Sequence, residues 1–251
     1  MAVCVLSDIH ADAEALSRVI ALLCDRRFCE VFGGIDGVVC LGDILGRGHQ
    51  PEETLQRMQA LSEQLPVTFL LGNHDDAYLR HIPVSGGDRR SGEAHEGIRE
   101  SPLLSMIRGM KQETVIDSML FVHGGPLRLG GGLTEQPFWQ RLSTRPGPSF
   151  SGYHYTAEMA FEELDRRGLS HLCIGHQHTP ICCRKDGGII KRVGLDFIPL
   201  TGRGIAGECA CIDLNDPTII RVGACMGNHP EIGITDFRRF FLLRLSADVC
   251  P

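Results

Sequence analysis

The chain has 251 residues, enough for one globular domain or at most two small ones. Hydrophobic residues at 43% and charged residues at 22% exclude a disordered chain. A net charge of −6 argues against a partner such as extended nucleic acid, which needs a basic face to release its counterions.

No apolar run approaches the ~20 residues that span a bilayer. The opening MAVCVLSDIH has no basic region of the kind that starts a secretory signal. A cytoplasmic protein without membrane contact is therefore expected, and Ala2–Ser7 reads as a first strand. Asp12–Arg27 follows with Leu16, Val19, Ile20 and Leu23 on one face, which predicts an amphipathic helix. Gly37–Leu41 reads as a second buried strand. Pro51 sits at the first turn of a helix carrying Leu55, Met58, Leu61 and Leu65. Val67–Leu71 is a third strand, and the alternation predicts an α/β fold with a parallel sheet.

The second half is less regular. Pro83–Glu100 is polar and reads as a loop, and Thr114–His123 as one or two strands. Gly124–Ser149 is rich in Gly and Pro and holds the only tryptophan, Trp139; both long loops are candidates to wall a substrate pocket. A short helix is expected over Ala157–Gly168, then strands near Leu172–Gly175, Ile189–Val193, Cys209–Leu214 and Thr218–Val222. The domain is read as residues 1–226. Residues 227–251 read as a C-terminal tail whose apolar Phe240–Leu245 packs on the domain or on a neighbour.

Eleven cysteines first suggest metal or redox work, but the number is odd and no C-x-x-C occurs. Most lie in apolar runs such as AVCVL, GVVCLG and HLCIG, where a reduced Cys is a small core hydrophobe.

Polar residues able to bind metal cluster where strands end. They are Asp8-Ile9-His10, Gly42-Asp43, Gly72-Asn73-His74-Asp75, His123-Gly124-Gly125 and Gly175-His176-Gln177-His178. In open α/β sheets ligands bind outside the carboxyl ends of strands. Asp8 and His10 are two apart, as are His176 and His178, so in extended backbone each pair points to one side. Carboxylate, imidazole and amide oxygen suit hard or borderline divalent ions such as manganese, iron, zinc or nickel. Seven such groups exceed one tetrahedral ion and suit two ions roughly 3.5–4 Å apart sharing a carboxylate. Each motif alone is weak; all five in this order make coincidence a poor explanation.

This set resembles the calcineurin-like metallophosphoesterase superfamily, over roughly residues 3–180, and SDIHADAEAL resembles the opening of its small bacterial and archaeal members. The resemblance implies a four-layer α/β/β/α sandwich with two mixed sheets and the metals at one edge. It assigns Asp8, His10 and His178 to one ion, Asn73, His123 and His176 to a second, and Asp43 as the bridge. It further implies that hydroxide held between the ions attacks phosphorus in line. His74 would protonate the leaving oxygen, and Asp75 is expected to orient His74 by hydrogen bonding. Arg47, in Gly42-Asp43-Ile44-Leu45-Gly46-Arg47-Gly48, looks like the phosphate-binding arginine of protein-phosphatase-like members.

Two departures bear on the substrate. Leu71 stands where related phosphoserine phosphatases have an arginine, and Ile198–Gly204 replaces the N-P-G-S turn of the small phosphodiesterase-like members, with Arg203 a candidate to approach phosphate. The expected activity is hydrolysis of a small phosphodiester or phosphomonoester. The alternatives are a phosphoprotein or dinucleoside-polyphosphate hydrolase, favoured by Arg47, and a catalytically silent metal-binding scaffold, disfavoured because His74 and every ligand are present. His49, His81, His95, His154, His171 and His229 match nothing in the signature and read as surface or packing residues, with His49 the best exception because it follows Arg47 so closely.

Overall fold

The computed structural model describes residues 1–83 and 85–247. In chain order its first half runs β1 (Val3–Leu6), α1 (Ala13–Leu23), α2 (Arg26–Phe32), β2 (Gly37–Cys40), α3 (Pro51–Gln64), β3 (Val67–Phe69), α4 (Asn73–Leu79), α5 (Arg89–Gly97), α6 (Leu104–Arg108), β4 (Glu113–Ile116) and β5 (Met119–Val122). After a long excursion come β6 (Arg141–Leu142), β7 (His154–Tyr155), α7 (Ala157–Arg166), β8 (His171–Ile174), β9 (Ile181–Asp186), β10 (Ile189–Val193), β11 (Ile198–Pro199), β12 (Gly207–Asp213), β13 (Thr218–Arg221), β14 (Glu231–Thr235) and β15 (Arg239–Leu245).

Two mixed sheets stack face to face. The larger has the order β11-β12-β15-β14-β1-β2-β3, the smaller β10-β9-β13-β8-β5-β4, and β6 pairs separately with β7. β1, β2 and β3 are mutually parallel, as expected, and so are β5, β8 and β13.

The period-two alternation of the strands sorts their side chains into layers. Val3 and Val5 of β1 face the other sheet and join Phe121, Cys173 and Ile220. Cys4 and Leu6 point the other way, onto Leu16 and Val19 of α1 and Leu55 and Met58 of α3. On the far side, Leu120, Leu172 and Ile219 pack against Phe161 and Leu164 of α7. The result is the four-layer α/β/β/α sandwich. Strands buried on both faces read as continuous apolar runs, which is why AVCVL and GVVCLG stood out in the sequence.

Several elements differ from the sequence reading. The helix expected over Asp12–Arg27 ends at Leu23, and Asp25 starts α2 by accepting the Arg27 and Phe28 N–H groups at 2.7 and 3.4 Å. The stretch read as a loop from Pro83 to Glu100 contains α5. Asp88 caps it by accepting the Ser91 N–H at 2.8 Å, and its buried face is the polar pair Ser91 and His95, invisible to a hydrophobic-periodicity reading. β9 went unread. Residues 231–245, read within a tail, form β14 and β15, and β14 lies directly against β1.

The cysteines among the described residues are free thiols. Cys4, Cys40, Cys173, Cys182, Cys183, Cys209 and Cys225 are buried as expected, whereas Cys24 and Cys211 are exposed; Cys250 lies outside the described residues.

Candidate active site

Every predicted cluster sits in the turn that follows a parallel strand, and the two sheets bring these turns to one edge. Asp8 and His10 follow β1, Asp43 follows β2, Asn73 and His74 open α4 after β3, His123 follows β5, and His176 and His178 follow β8. The turns are tied together by their backbones. Asp8 N–H donates to Gly42 O at 3.0 Å, His10 N–H to Asp43 O at 2.9 Å, and Gly175 N–H to His123 O at 2.9 Å.

Close approach requires glycine at two of these positions. A Cβ on Gly42 would lie 2.4 Å from the Gly72 nitrogen, and one on Gly72 would lie 2.1 Å from the Asp43 nitrogen. The left-handed region is also occupied by Asp8, His10, Asp43, Arg47, His176 and His178, with φ between 52° and 66°. Such backbone is costly for non-glycine residues and persists where the surrounding structure enforces it.

The side chains form three overlapping triads: Asp8–His10–His178, His10–Asp43–His74 and Asp43–His123–His176, with ligand atoms in each within 4.8 Å. His178 Nε2 lies 3.2 Å from Asp8 Oδ1 and 3.0 Å from His10 Nε2. Asp43 Oδ2 lies 3.8 Å from His10 Nε2 and 3.4 Å from His123 Nε2, and Asn73 Oδ1 is 3.3 Å from His123 Nε2. Asp43 thus stands between the two ends of the cluster.

Hydrogen bonding behind the cluster aims the donors inward. His10 Nδ1–H donates to Leu45 O at 3.2 Å and His123 Nδ1–H to Leu41 O at 3.1 Å, which leaves each Nε2 lone pair facing its neighbours. Asp8 Oδ2 accepts from Ser7 Oγ at 2.6 Å and from His176 N–H at 2.9 Å. Asp8 Oδ1 and both ring nitrogens of His176 are buried and make no hydrogen bond among the described residues. Unsatisfied buried acceptors are rare in folded proteins. A carboxylate oxygen and an imidazole left without hydrogen bonds, beside further imidazoles and the Asn73 amide oxygen, fit divalent cations.

Electrostatics agree. Burial opposes charge on Asp43, but the surrounding histidines outweigh it and hold this carboxyl far below its ordinary value. Burial lowers His10 to about 3 despite Asp43 and Asp8, so its ring is neutral and able to donate a lone pair. His123 differs: the Asp43 carboxylate outweighs burial and raises that ring to about 9, so without a cation it is protonated toward Asp43, and it donates a lone pair only once a bound cation displaces that proton. Burial, with Arg47 adding to it, lowers His74 against the pull of Asp43.

Asp75 does something other than orient His74. Its carboxylate accepts the backbone N–H groups of Asp43 (2.7 Å), Leu45 (3.0 Å), Gly72 (3.2 Å) and Ile44 (3.4 Å), while His74 Nδ1 has no partner. Burial and the nearby Asp43 push Asp75 up to about 7. Its geometric task is to clamp the turn after β2 onto the start of α4. The His74 ring is confined instead by Gly46, where a Cβ would lie 2.4 Å from Nδ1, and by an edge-on contact with His10 at 4.7 Å.

Above the cluster opens a cavity of about 570 Å³ lined by Asp43, Arg47, Asn73, His74, Arg141 and His176, with Pro83 and Trp139 from the two long excursions among its further walls. Arg47 faces it, its Nε buried without a partner. Arg141 has no sequence signal, and only the fold brings it here. Burial lowers its guanidinium from the ordinary value and Asp43 draws it back, though an arginine stays charged at any working pH.

Two further residues escaped the sequence reading. Gln177, the variable position of G-H-x-H, accepts the Leu142 N–H at 2.9 Å and donates to Leu142 O at 3.1 Å, fastening the strand that carries Arg141. His95 of α5 accepts the Gly46 N–H on Nε2 at 2.8 Å and donates from Nδ1 to Ser91 O at 2.8 Å, bracing the turn beside Arg47. His49 pairs with Asp88 at 3.2 Å on the exposed flank, and Arg203 lines a different cavity with Phe32 and Arg239.

A family model described as calcineurin-like phosphoesterase matches residues 1–180, more than half of the chain. An uncharacterized protein of Methanocaldococcus jannaschii is 37% identical over 77 residues, 31% of this chain and only 27% of that relative's length. A metallophosphoesterase structure from Sphaerobacter thermophilus superposes with a TM-score of 0.65 at 21% identity, covering 98% of this chain and 89% of that one. A cold-active protein-tyrosine phosphatase of a Shewanella species gives 0.59 at 17% identity, over 96% and 77% of the two chains.

Proposed function

The chain belongs to the calcineurin-like phosphoesterase family and is a metal-dependent phosphoric ester hydrolase, and from that premise we propose that it hydrolyses a small phosphomonoester or phosphodiester with the help of two divalent ions. Asp8, His10 and His178 would hold one ion, Asn73, His123 and His176 the other, and Asp43 both. The observation that carries this reading is the set of overlapping triads sharing His10 and Asp43, with Asp8 Oδ1 and the His176 nitrogens buried and unpaired. Bound there, two cations would offset phosphate charge and lower the pKa of water at the site.

The protein's own groups supply the rest. Arg47 and Arg141 converge on the cavity and suit bidentate contact with phosphate oxygens. A phosphate dianion beside His74 would counter the effect of burial and favour its protonated ring, which then gives its proton to the leaving oxygen. Asp75 and His95 fix the turn bearing Asp43, Gly46 and Arg47, so these groups meet substrate without rearrangement. The paired arginines also favour a second reading, a phosphatase acting on phosphoproteins.

Elemental analysis of purified protein, coupled to turnover of a monoester and diester panel, tests the proposal. Wild type should bind about two ions and turn over at least one ester. His74→Asn should lower kcat by about 10²- to 10⁴-fold with unchanged circular dichroism, and Asp43→Asn should lose bound metal as well. A wild type that binds no metal, or a His74→Asn enzyme as active as wild type, sinks this mechanism.

A further inference from the structure

Beyond the arginines, the cavity has an apolar outer wall made of Ile82, Pro83, Leu133, Trp139 and Phe150. Its two aromatic members are unlike core residues. Phe150 is fully exposed, at 102%, and belongs to none of the hydrophobic clusters. Trp139 is half-buried, and its indole N–H is shut off from water without an acceptor.

The aromatic wall is tied to the phosphate end by backbone contacts. Arg141 Nε donates to Ser151 O at 2.7 Å, and Gly152 packs so tightly on Trp139 that a Cβ there would lie 1.8 Å from the Trp139 carbonyl oxygen. The turn bearing Phe150 is thereby held to the segment Trp139–Arg141. A cavity of about 570 Å³ is also far larger than a bare phosphate needs and falls within the ~300–1,000 Å³ range of small-molecule sites.

We infer that the substrate is a small phosphoester whose organic group carries a planar aromatic ring, seated against Trp139 and Phe150 while Arg47 and Arg141 hold the phosphate. The inference rests on the phosphoesterase reading above. Aromatic faces prefer offset or edge-on partners and gain more from a ring than from an alkyl group of equal area.

Because Trp139 is the only tryptophan, its emission reports on this wall alone. Metal-loaded wild type is titrated with benzylphosphonate and methylphosphonate, whose P–C bonds resist hydrolysis. Benzylphosphonate should alter the emission and bind about five- to tenfold more tightly, and Phe150→Ala should abolish that preference. A further titration with an adenosine methylenephosphonate separates the two sources of the ring: tighter binding than benzylphosphonate assigns a nucleobase, weaker binding a simple aryl ester. Equal affinity for the benzyl and methyl probes, or unaltered emission, overturns the aromatic assignment. Turnover of an alkyl phosphate would then leave the phosphoesterase reading standing, whereas no turnover of any ester removes both.

Discussion

The charge that organises the turn around Asp43 is Asp75, which never reaches the cavity. One carboxylate gathers N–H groups from Asp43, Ile44, Leu45 and Gly72, and thereby joins the turn after β2 to the start of α4. Burying a carboxylate is expensive unless such donors satisfy it. Asp75→Asn keeps the shape but turns an amide NH₂ toward backbone N–H groups that need an acceptor. The expected cost is about 2–3 kcal/mol of stability, read as a lower denaturant midpoint at unchanged slope. Turnover should fall too, because Asp43 shifts with its turn. An Asp75→Asn protein with wild-type stability would show that the clamp is dispensable. Residue identity makes the proposed ligands legible, since D-x-H, G-N-H-D and G-H-x-H spell out candidate donors. The left-handed backbone at Asp8, His10, Asp43, Arg47, His176 and His178 was not legible. A conformation that costs of order 1 kcal/mol per residue is imposed by the surrounding fold.

At the scale of elements, α5 shows how a segment can hide. Its buried side chains are the polar Ser91 and His95, so nothing in its pattern announces a packed face. Strands β1, β2, β3, β5 and β8 and helices α1, α3 and α7 are readable because their buried faces are apolar. The consequence is functional. His95 accepts the Gly46 N–H, and Gly46 touches the His74 ring and precedes Arg47. His95 is therefore a positioning residue. His95→Ala leaves a buried N–H without a partner, and it should raise KM and lower kcat as Arg47 and His74 lose their fixed orientation, roughly tenfold together in kcat/KM for a lost hydrogen bond of ~1.4 kcal/mol. His95→Gln, whose amide oxygen can accept the same N–H, should recover much of it. If Ala and Gln variants are equally impaired in kcat/KM, or both are unimpaired, the brace has no catalytic consequence. Arg141 and Gln177 belong to the same class of hidden parts, since only the pairing of β6 with the turn after β8 reveals them.

For the molecule as a whole, the site exists only because two sheets meet, and the larger sheet is completed from the far end of the chain. β14 pairs with β1 at Val3↔Thr235 and Cys4↔Ile234, so the strand that presents Asp8 and His10 is central because of residues more than two hundred positions away. No local pattern encodes that return, which is why Phe240–Leu245 was legible as apolar but not as a strand between β12 and β14. Ile232, Ile234, Phe240, Leu242, Leu243 and Leu245 are all buried, divided between the helix-facing and the inter-sheet cores. At about 1.5–3 kcal/mol for each buried side chain, their removal costs roughly 9–18 kcal/mol. That is comparable to the whole ~5–15 kcal/mol by which a typical domain is stable. A chain ending at residue 226 should therefore fail to fold although it retains every proposed metal ligand. Its amide proton spectrum should stay collapsed, and divalent ions, which stabilise only by RT ln(1 + [L]/Kd), should not rescue it. A dispersed spectrum and stoichiometric metal binding by residues 1–226 would instead mean that β1 can stand at a sheet edge and that the site assembles without its C-terminal strands.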